Sequence, residues 1–186
     1  MTLANQITLL RFLLVPFFVG TLVYYQPQKD HLRWLALLIF LIAMITDALD
    51  GYIARTRSQK SPLGVILDPL ADKLLLVSAF LLLATREALP AAFRIPPWTS
   101  ILVVSRDLFI LSGSIVIYLI TQRLDVKPSR LGKVCTFFQM MTIVVTLSGI
   151  PLRLFFCALT AFFTLLSGLG YLRYGMKLLN GSSPSS

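Results

Sequence analysis

Along the chain, long apolar runs alternate with short polar breaks that contain Pro, Gly and basic residues. With the helix breakers as punctuation, the runs predict six helical spans over about 8–25, 34–54, 67–86, 98–121, 134–151 and 154–176. Each span is close to the roughly 20 residues needed to cross a hydrocarbon layer. Pro27, Pro62, Pro90, Pro96, Pro97, Pro128 and Pro151 fall between spans or at their ends, where breakers belong. Pro69 is expected in the first turn of the third span, where its missing N–H is harmless, and Pro16 is expected to kink the first. Residues 1–178 read as one membrane domain, without internal repeat, followed by a polar tail over 179–186 that is expected to be disordered. The first span lacks the basic flank and small-residue cleavage site of a signal peptide, so it is expected to stay as an anchor.

Composition sharpens this into an all-α integral membrane protein with six transmembrane helices. The 186 residues are 56% hydrophobic, too apolar for a soluble domain. A net charge of +9 would suggest nucleic acid in a soluble protein. Here the bases lie in short loops between apolar runs, which points to positive-inside topology, contact with anionic lipid or phosphate, and no nucleic-acid partner. One side holds Arg11, Arg55, Arg57, Lys60, Arg123, Lys127, Arg130, Lys133, Arg173 and Lys177; the other holds Lys29, Arg33, Arg86, Arg94 and Arg153. That bias places both termini on the cytoplasmic side. Cys135 and Cys157 are expected as small core residues rather than a disulfide. Tyr24, Tyr25, Trp34, Trp98, Tyr171 and Tyr174 fall at span ends, as interface anchors do, and His31 lies in a polar loop. Phe137, Phe138, Phe155, Phe156, Phe162 and Phe163 read as lipid-facing or packing residues, and Gln139 as a polar group in need of a helix–helix partner.

Four of the eight acidic residues are concentrated between the second and third spans, in the run Asp47-x2-Asp50-Gly51-x2-Ala54-Arg55-x8-Gly64-x3-Asp68-x3-Asp72. Charges in an apolar span are costly and usually functional. Asp47 and Asp50 are i, i+3, Ala54 continues their face, and Asp68 and Asp72 are i, i+4, so two adjacent helices offer two carboxylates each to one point. Carboxylates so close repel unless a cation joins them. A hard divalent ion with oxygen ligands, Mg²⁺ or Mn²⁺, meets that need, and four carboxylates suffice for a pair suited to displacement at phosphorus. Gly51, Ala54 and Gly64 leave room for a ligand, and Arg55 offers a planar fork to phosphate oxygens. The competing explanation is a set of interfacial salt bridges from Arg55, Arg57, Lys60 and Lys73 to the same aspartates.

The run resembles the signature of the CDP-alcohol phosphotransferase (phosphatidyltransferase) family at every fixed position. The opening Asn5-x2-Thr8-x2-Arg11 and the six-span layout agree with it, so the resemblance covers nearly the whole chain. It implies transfer of the phosphatidyl group from CDP-diacylglycerol to an alcohol, with release of CMP, at the cytoplasmic face of a bacterial inner membrane. It implies that Asp47, Asp50, Asp68 and Asp72 bind two metal ions and that Asp72 also serves as general base. Gly51, Ala54, Arg55 and Gly64 would surround the CDP moiety, and the family tendency is a homodimer.

For the acceptor, Arg106, Lys127, Arg130 and Lys133 are the candidate anion-binding residues; their bland alternatives are an Arg106–Asp107 intramembrane pair and simple positive-inside bias. Two subfamilies resemble the chain most: phosphatidylglycerophosphate synthases, using glycerol 3-phosphate, and CMP-forming cardiolipin synthases, using phosphatidylglycerol. The former often carry Arg-Glu in the fourth span and Gly-Lys-x-Lys-Thr at the fifth. This chain has Arg106-Asp107 and Gly132-Lys133-Val134-Cys135-Thr136, which look closer to the second type, while glycerol 3-phosphate enzymes are the commoner members of this layout. A cation-coupled transporter is a distant alternative, disfavoured because transport sites lie near the midplane of repeated halves. A structural scaffold would leave the aspartate spacing unexplained.

Overall fold

The structure, a computed structural model, describes the backbone of residues 3–57, 62–121 and 130–179, and the side chains of 9–47, 73–113 and 131–171. Among the described residues there are six α-helices and no strand: α1 (Leu3–Val23), α2 (His31–Arg57), α3 (Pro62–Thr85), α4 (Pro97–Thr121), α5 (Arg130–Ser148) and α6 (Arg153–Leu179). Short 3-10 turns at Pro27–Lys29 and Ala91–Phe93 join α1 to α2 and α3 to α4. All six expected helices are present. The third begins five residues earlier than expected, so Pro62 opens it and Pro69 lies about two turns inside. The helix α1 runs through Pro16. Of the tail expected over 179–186, Leu179 ends α6 and the rest lies outside the described residues.

The packed faces follow helical periodicity. On α2 the buried positions are Arg33, Ala36, Leu37, Phe40 and Ala43; on α6 they are Cys157, Thr160, Ala161, Thr164 and Ser167. Small side chains along α6 let α5 approach closely, and Thr142 of α5 meets Thr160 of α6 at 2.7 Å. In turn α1 packs on α2 and α3, α4 on α3 and α6, and α5 on α2 and α6. The outward faces carry large apolar residues, among them Leu13, Phe17, Ile101, Phe109, Leu154 and Phe162, while threonine, serine, arginine and aspartate are buried. Apolar outer faces of this extent are unusual for a water-soluble bundle. By length and composition, among the described residues, the segments Leu131–Ser148 and Arg153–Tyr171 are long and apolar enough to cross a membrane; Leu9–Val23 and Lys73–Thr85 are shorter apolar stretches.

One end of the bundle is sewn together by arginines donating to backbone carbonyls. Arg33 reaches Leu147 O at the end of α5, Arg86 reaches Val23 O at the end of α1, and Arg153 reaches Ala91 O and Arg94 O. Arg94 Nε donates to Leu89 O at 2.8 Å. Carbonyls in the last turn of a helix have no intrahelical donor, and a cation there also favours the helix dipole. Four of the five bases counted on that side are therefore spent inside the protein. Arg33 additionally holds Asp30 through two hydrogen bonds of 2.8 Å and lies over the Phe93 ring at 4.1 Å. Gly149 closes α5 at φ 76°, with Ile150 N–H on Val145 O at 3.2 Å. A Cβ at Gly149 would stand 2.6 Å from the Phe93 ring, so only glycine fits.

Three expectations need correction. Arg11 is not a loop cation: it lies within α1 and is 1% exposed. Tyr25 is not an interface anchor but is buried, its hydroxyl donating to Asp30 at 3.4 Å; Tyr24, Trp34 and Trp98 are exposed as expected. Gln139 finds no partner on another helix among the described residues. Its amide donates to Cys135 Sγ on its own helix at 3.7 Å, and Cys135 in turn meets Thr164 of α6 at 3.4 Å. Both cysteines are free and buried, as expected.

Candidate active site around the acidic segment

The acidic run occupies the last turns of α2 and the first turns of α3. Asp47, Asp50, Gly51, Ala54 and Arg55 belong to α2, and Gly64, Asp68 and Asp72 to α3. Of these, Asp47 has a described side chain; the side chains of the other seven positions lie outside the described residues.

A small cleft opens between α1, α2, α3 and α5. Arg11 and Asp47 are its charged lining, and Phe40, Ala43, Leu75 and Leu76 form apolar walls. The register of both helices leads from this cleft into the acidic run. On α2, positions 40, 43, 44 and 47 share a face that continues to 50, 51 and 54. On α3, positions 75 and 76 share a face that continues back to 72 and 68. Of the four aspartates, Asp47 lines the cleft among the described residues.

Arg11 Nη2 lies 3.3 Å from Asp47 Oδ1, with the arginine buried and the carboxylate 36% exposed. A carboxylate at the edge of an apolar-walled cleft needs a compensating cation. The carboxylate donor set along the run fits a hard divalent ion rather than a soft one. Arg11 was legible only as part of the Asn5-x2-Thr8-x2-Arg11 spacing, which puts the three on one helical face.

A second charged cluster lies alongside. Lys73, the residue after Asp72, donates from Nζ to Asp107 Oδ2 on α4 at 2.7 Å. Arg106 Nη1 donates to the other oxygen, Asp107 Oδ1, also at 2.7 Å. The remaining Arg106 terminal nitrogen donates to Ser167 Oγ on α6. Lys73 is therefore bonded to Asp107, a partner outside the set that the salt-bridge alternative considered. Among the other expected acceptor residues, Lys133 is exposed on α5, Arg130 is the first residue of α5 with its side chain outside the described residues, and Lys127 lies outside them altogether. Sequence reasoning missed Lys73 and Asp107 as a unit. The available signal was that both are charged residues inside apolar spans.

The profile of the CDP-alcohol phosphatidyltransferase family matches residues 1–166. A protein of Mycobacterium tuberculosis named probable phosphatidylglycerophosphate synthase is 34% identical, over 96% of this chain and 84% of its own length. The CDP-diacylglycerol--glycerol-3-phosphate 3-phosphatidyltransferase of Bacillus subtilis is 31% identical, over 97% of this chain and 98% of its own length. The protein of the same name from Blochmanniella floridana is 34% identical, over 76% of this chain and 70% of its own length.

Proposed function

The chain belongs to the CDP-alcohol phosphatidyltransferase family, and from that premise we propose that it transfers the phosphatidyl group of CDP-diacylglycerol to glycerol 3-phosphate, releasing CMP and forming phosphatidylglycerophosphate. What supports this is the complete aspartate run on the last turns of α2 and the first turns of α3, with its first member Asp47 at the cleft, in a chain whose relatives are named for this reaction.

Asp47, Asp50, Asp68 and Asp72 would hold Mg²⁺ or Mn²⁺, two ions per site. Bound there, such ions neutralise the diphosphate and stabilise the departing charge. Asp72 takes the proton from the acceptor hydroxyl. That oxygen bonds to the phosphorus bearing the diacylglycerol, and the bond from this phosphorus to the CMP oxygen breaks. Gly51, Ala54 and Gly64 leave space for the CDP moiety, and Arg55 offers its fork to phosphate oxygens. Arg106, Lys127, Arg130 and Lys133 hold the phosphate of the acceptor.

The same proposal places all six helices across a bacterial inner membrane, with the acidic run facing the cytoplasm. The apolar outer faces support burial in lipid. The side proposed to be cytoplasmic keeps the larger share of basic residues, while the arginines of the opposite end are bonded to carbonyls.

Phosphatidylglycerol as acceptor, giving cardiolipin, is the second reading. It is favoured by Cys135, which is fully buried against Thr164 and supplies no cation where the glycerol 3-phosphate enzymes often carry lysine.

The test is CMP release by purified protein in detergent with CDP-diacylglycerol, Mg²⁺ or Mn²⁺, and either acceptor. Release with glycerol 3-phosphate that Asp72→Asn abolishes is expected. Release with phosphatidylglycerol alone would move the assignment to the second reading, and no Asp72-dependent release with either would sink both.

A further inference from the structure

The Lys73–Asp107–Arg106 cluster brings two cations onto one carboxylate, between helices α3, α4 and α6. Both Asp107 oxygens are used: Oδ1 by Arg106 and Oδ2 by Lys73, each at 2.7 Å. The Asp107 side chain is 1% exposed, Arg106 9% and Lys73 22%, so the cluster opens outward mainly through the lysine. Two cations held this close in apolar surroundings repel, and one carboxylate compensates only one of them. The cluster therefore carries one uncompensated positive charge among the described residues.

It also has unspent donors. Arg106 Nε is buried and has no partner among the described residues. A lysine ammonium has three N–H groups, of which Asp107 takes one. Burying charged donors in this way is costly unless something completes the set. What completes it is an anion with several acceptor oxygens, approaching from the Lys73 side. Lys73 directly follows Asp72 on α3, so that anion would lie beside the acidic run.

We infer that Lys73 is a binding residue for the phosphate group of the acceptor, and that Asp107 is the positioning residue that holds Lys73 and Arg106 together to receive it. The assignment rests on the transfer to glycerol 3-phosphate proposed above. Ser167, bonded to Arg106 from α6, fixes the guanidinium from the other side. Without Asp107 the two cations would part under their own repulsion, and the donors would no longer converge. Without Lys73, Arg106 and Asp107 would remain as a neutral pair with no net charge to offer.

The experiment uses the full chain in detergent, following CMP release against glycerol 3-phosphate and, separately, against CDP-diacylglycerol. The variants are Lys73→Met, Lys73→Arg, Asp107→Asn and Asp107→Glu. Loss of a charged hydrogen bond predicts that Lys73→Met and Asp107→Asn raise KM for glycerol 3-phosphate by about ten-fold or more. KM for CDP-diacylglycerol should stay within about two-fold, because the lipid donor does not use these groups. Lys73→Arg and Asp107→Glu, which keep the charges, should recover most of the loss. Should Asp107→Asn fail to fold, the Lys73→Met and Lys73→Arg pair still decides the matter. An unchanged or lower KM for glycerol 3-phosphate, or a parallel rise for both substrates, would overturn the inference. Wild-type protein that releases no CMP with glycerol 3-phosphate overturns the functional proposal itself, and the inference with it.

Discussion

Arg11 of α1 holds Asp47 of α2 through an ion pair of 3.3 Å, with the arginine 1% exposed and the aspartate 36%. The first residue of the acidic run is thus anchored to a different helix from its own. The Arg11 guanidinium sets a positive charge at the edge of the cleft.

Replacing Arg11 by Gln leaves the Asp47 carboxylate beside apolar walls without that charge. Removing one partner of a fully buried pair costs about 3–5 kcal/mol, and the exposure of Asp47 reduces this to about 1–3 kcal/mol. A lowered thermal midpoint of the purified protein is expected, with Arg11→Lys recovering part of it. An unchanged midpoint in Arg11→Gln would show that the pair does not tie α1 to α2.

Asp47→Asn should lower the thermal midpoint, because it strands the buried Arg11, and should also shift the metal requirement. One charged donor fewer weakens a hard-ion site, so the Mg²⁺ or Mn²⁺ concentration for half-maximal CMP release should rise by about ten-fold or more. Chelation of divalent ions should abolish release by the wild-type enzyme. Full activity in excess chelator would remove metal from the proposal.

Gly149→Ala should destabilise the bundle. A side chain at φ 76° is strained, and the new Cβ would meet the Phe93 ring at 2.6 Å. Backbone strain of this kind costs about 1–3 kcal/mol. Combining it with Phe93→Leu should cost less than the sum of the two changes, because the clash is shared. Strict additivity in thermal unfolding would argue against the contact.

Acid should loosen the end of the bundle held by Arg33. The hydrogen bond from Arg33 holds the Asp30 carboxyl below its ordinary value of 3.8, with further lowering from the guanidinium charge. A carboxyl depressed in the folded state contributes stability that is full above 3.8 and is lost as the pH falls through the lower folded value. Asp30 is 46% exposed, so the contribution is small. The thermal midpoint of wild type should fall toward that of Asp30→Asn below about pH 4. A gap between the two that persists in acid would contradict this.

Much of the molecule could be read in one dimension. Six apolar runs specify six helices because a period of 3.6 and about 20 apolar residues leave a chain few other options. The acidic run stood out because four carboxylates at i, i+3 and i, i+4 steps are costly in apolar helices unless something compensates them. Local spacing also placed Cys135 and Cys157 in the core. Partner choice across helices was not determined in this way. That Arg11 goes to Asp47, that Lys73 reaches Asp107, and that Arg33, Arg86 and Arg153 end on backbone carbonyls depend on which helix faces pack together. A long cationic side chain has several anions or carbonyls within reach. Only the tertiary arrangement, by burying some of them and exposing others, decides which one it neutralises.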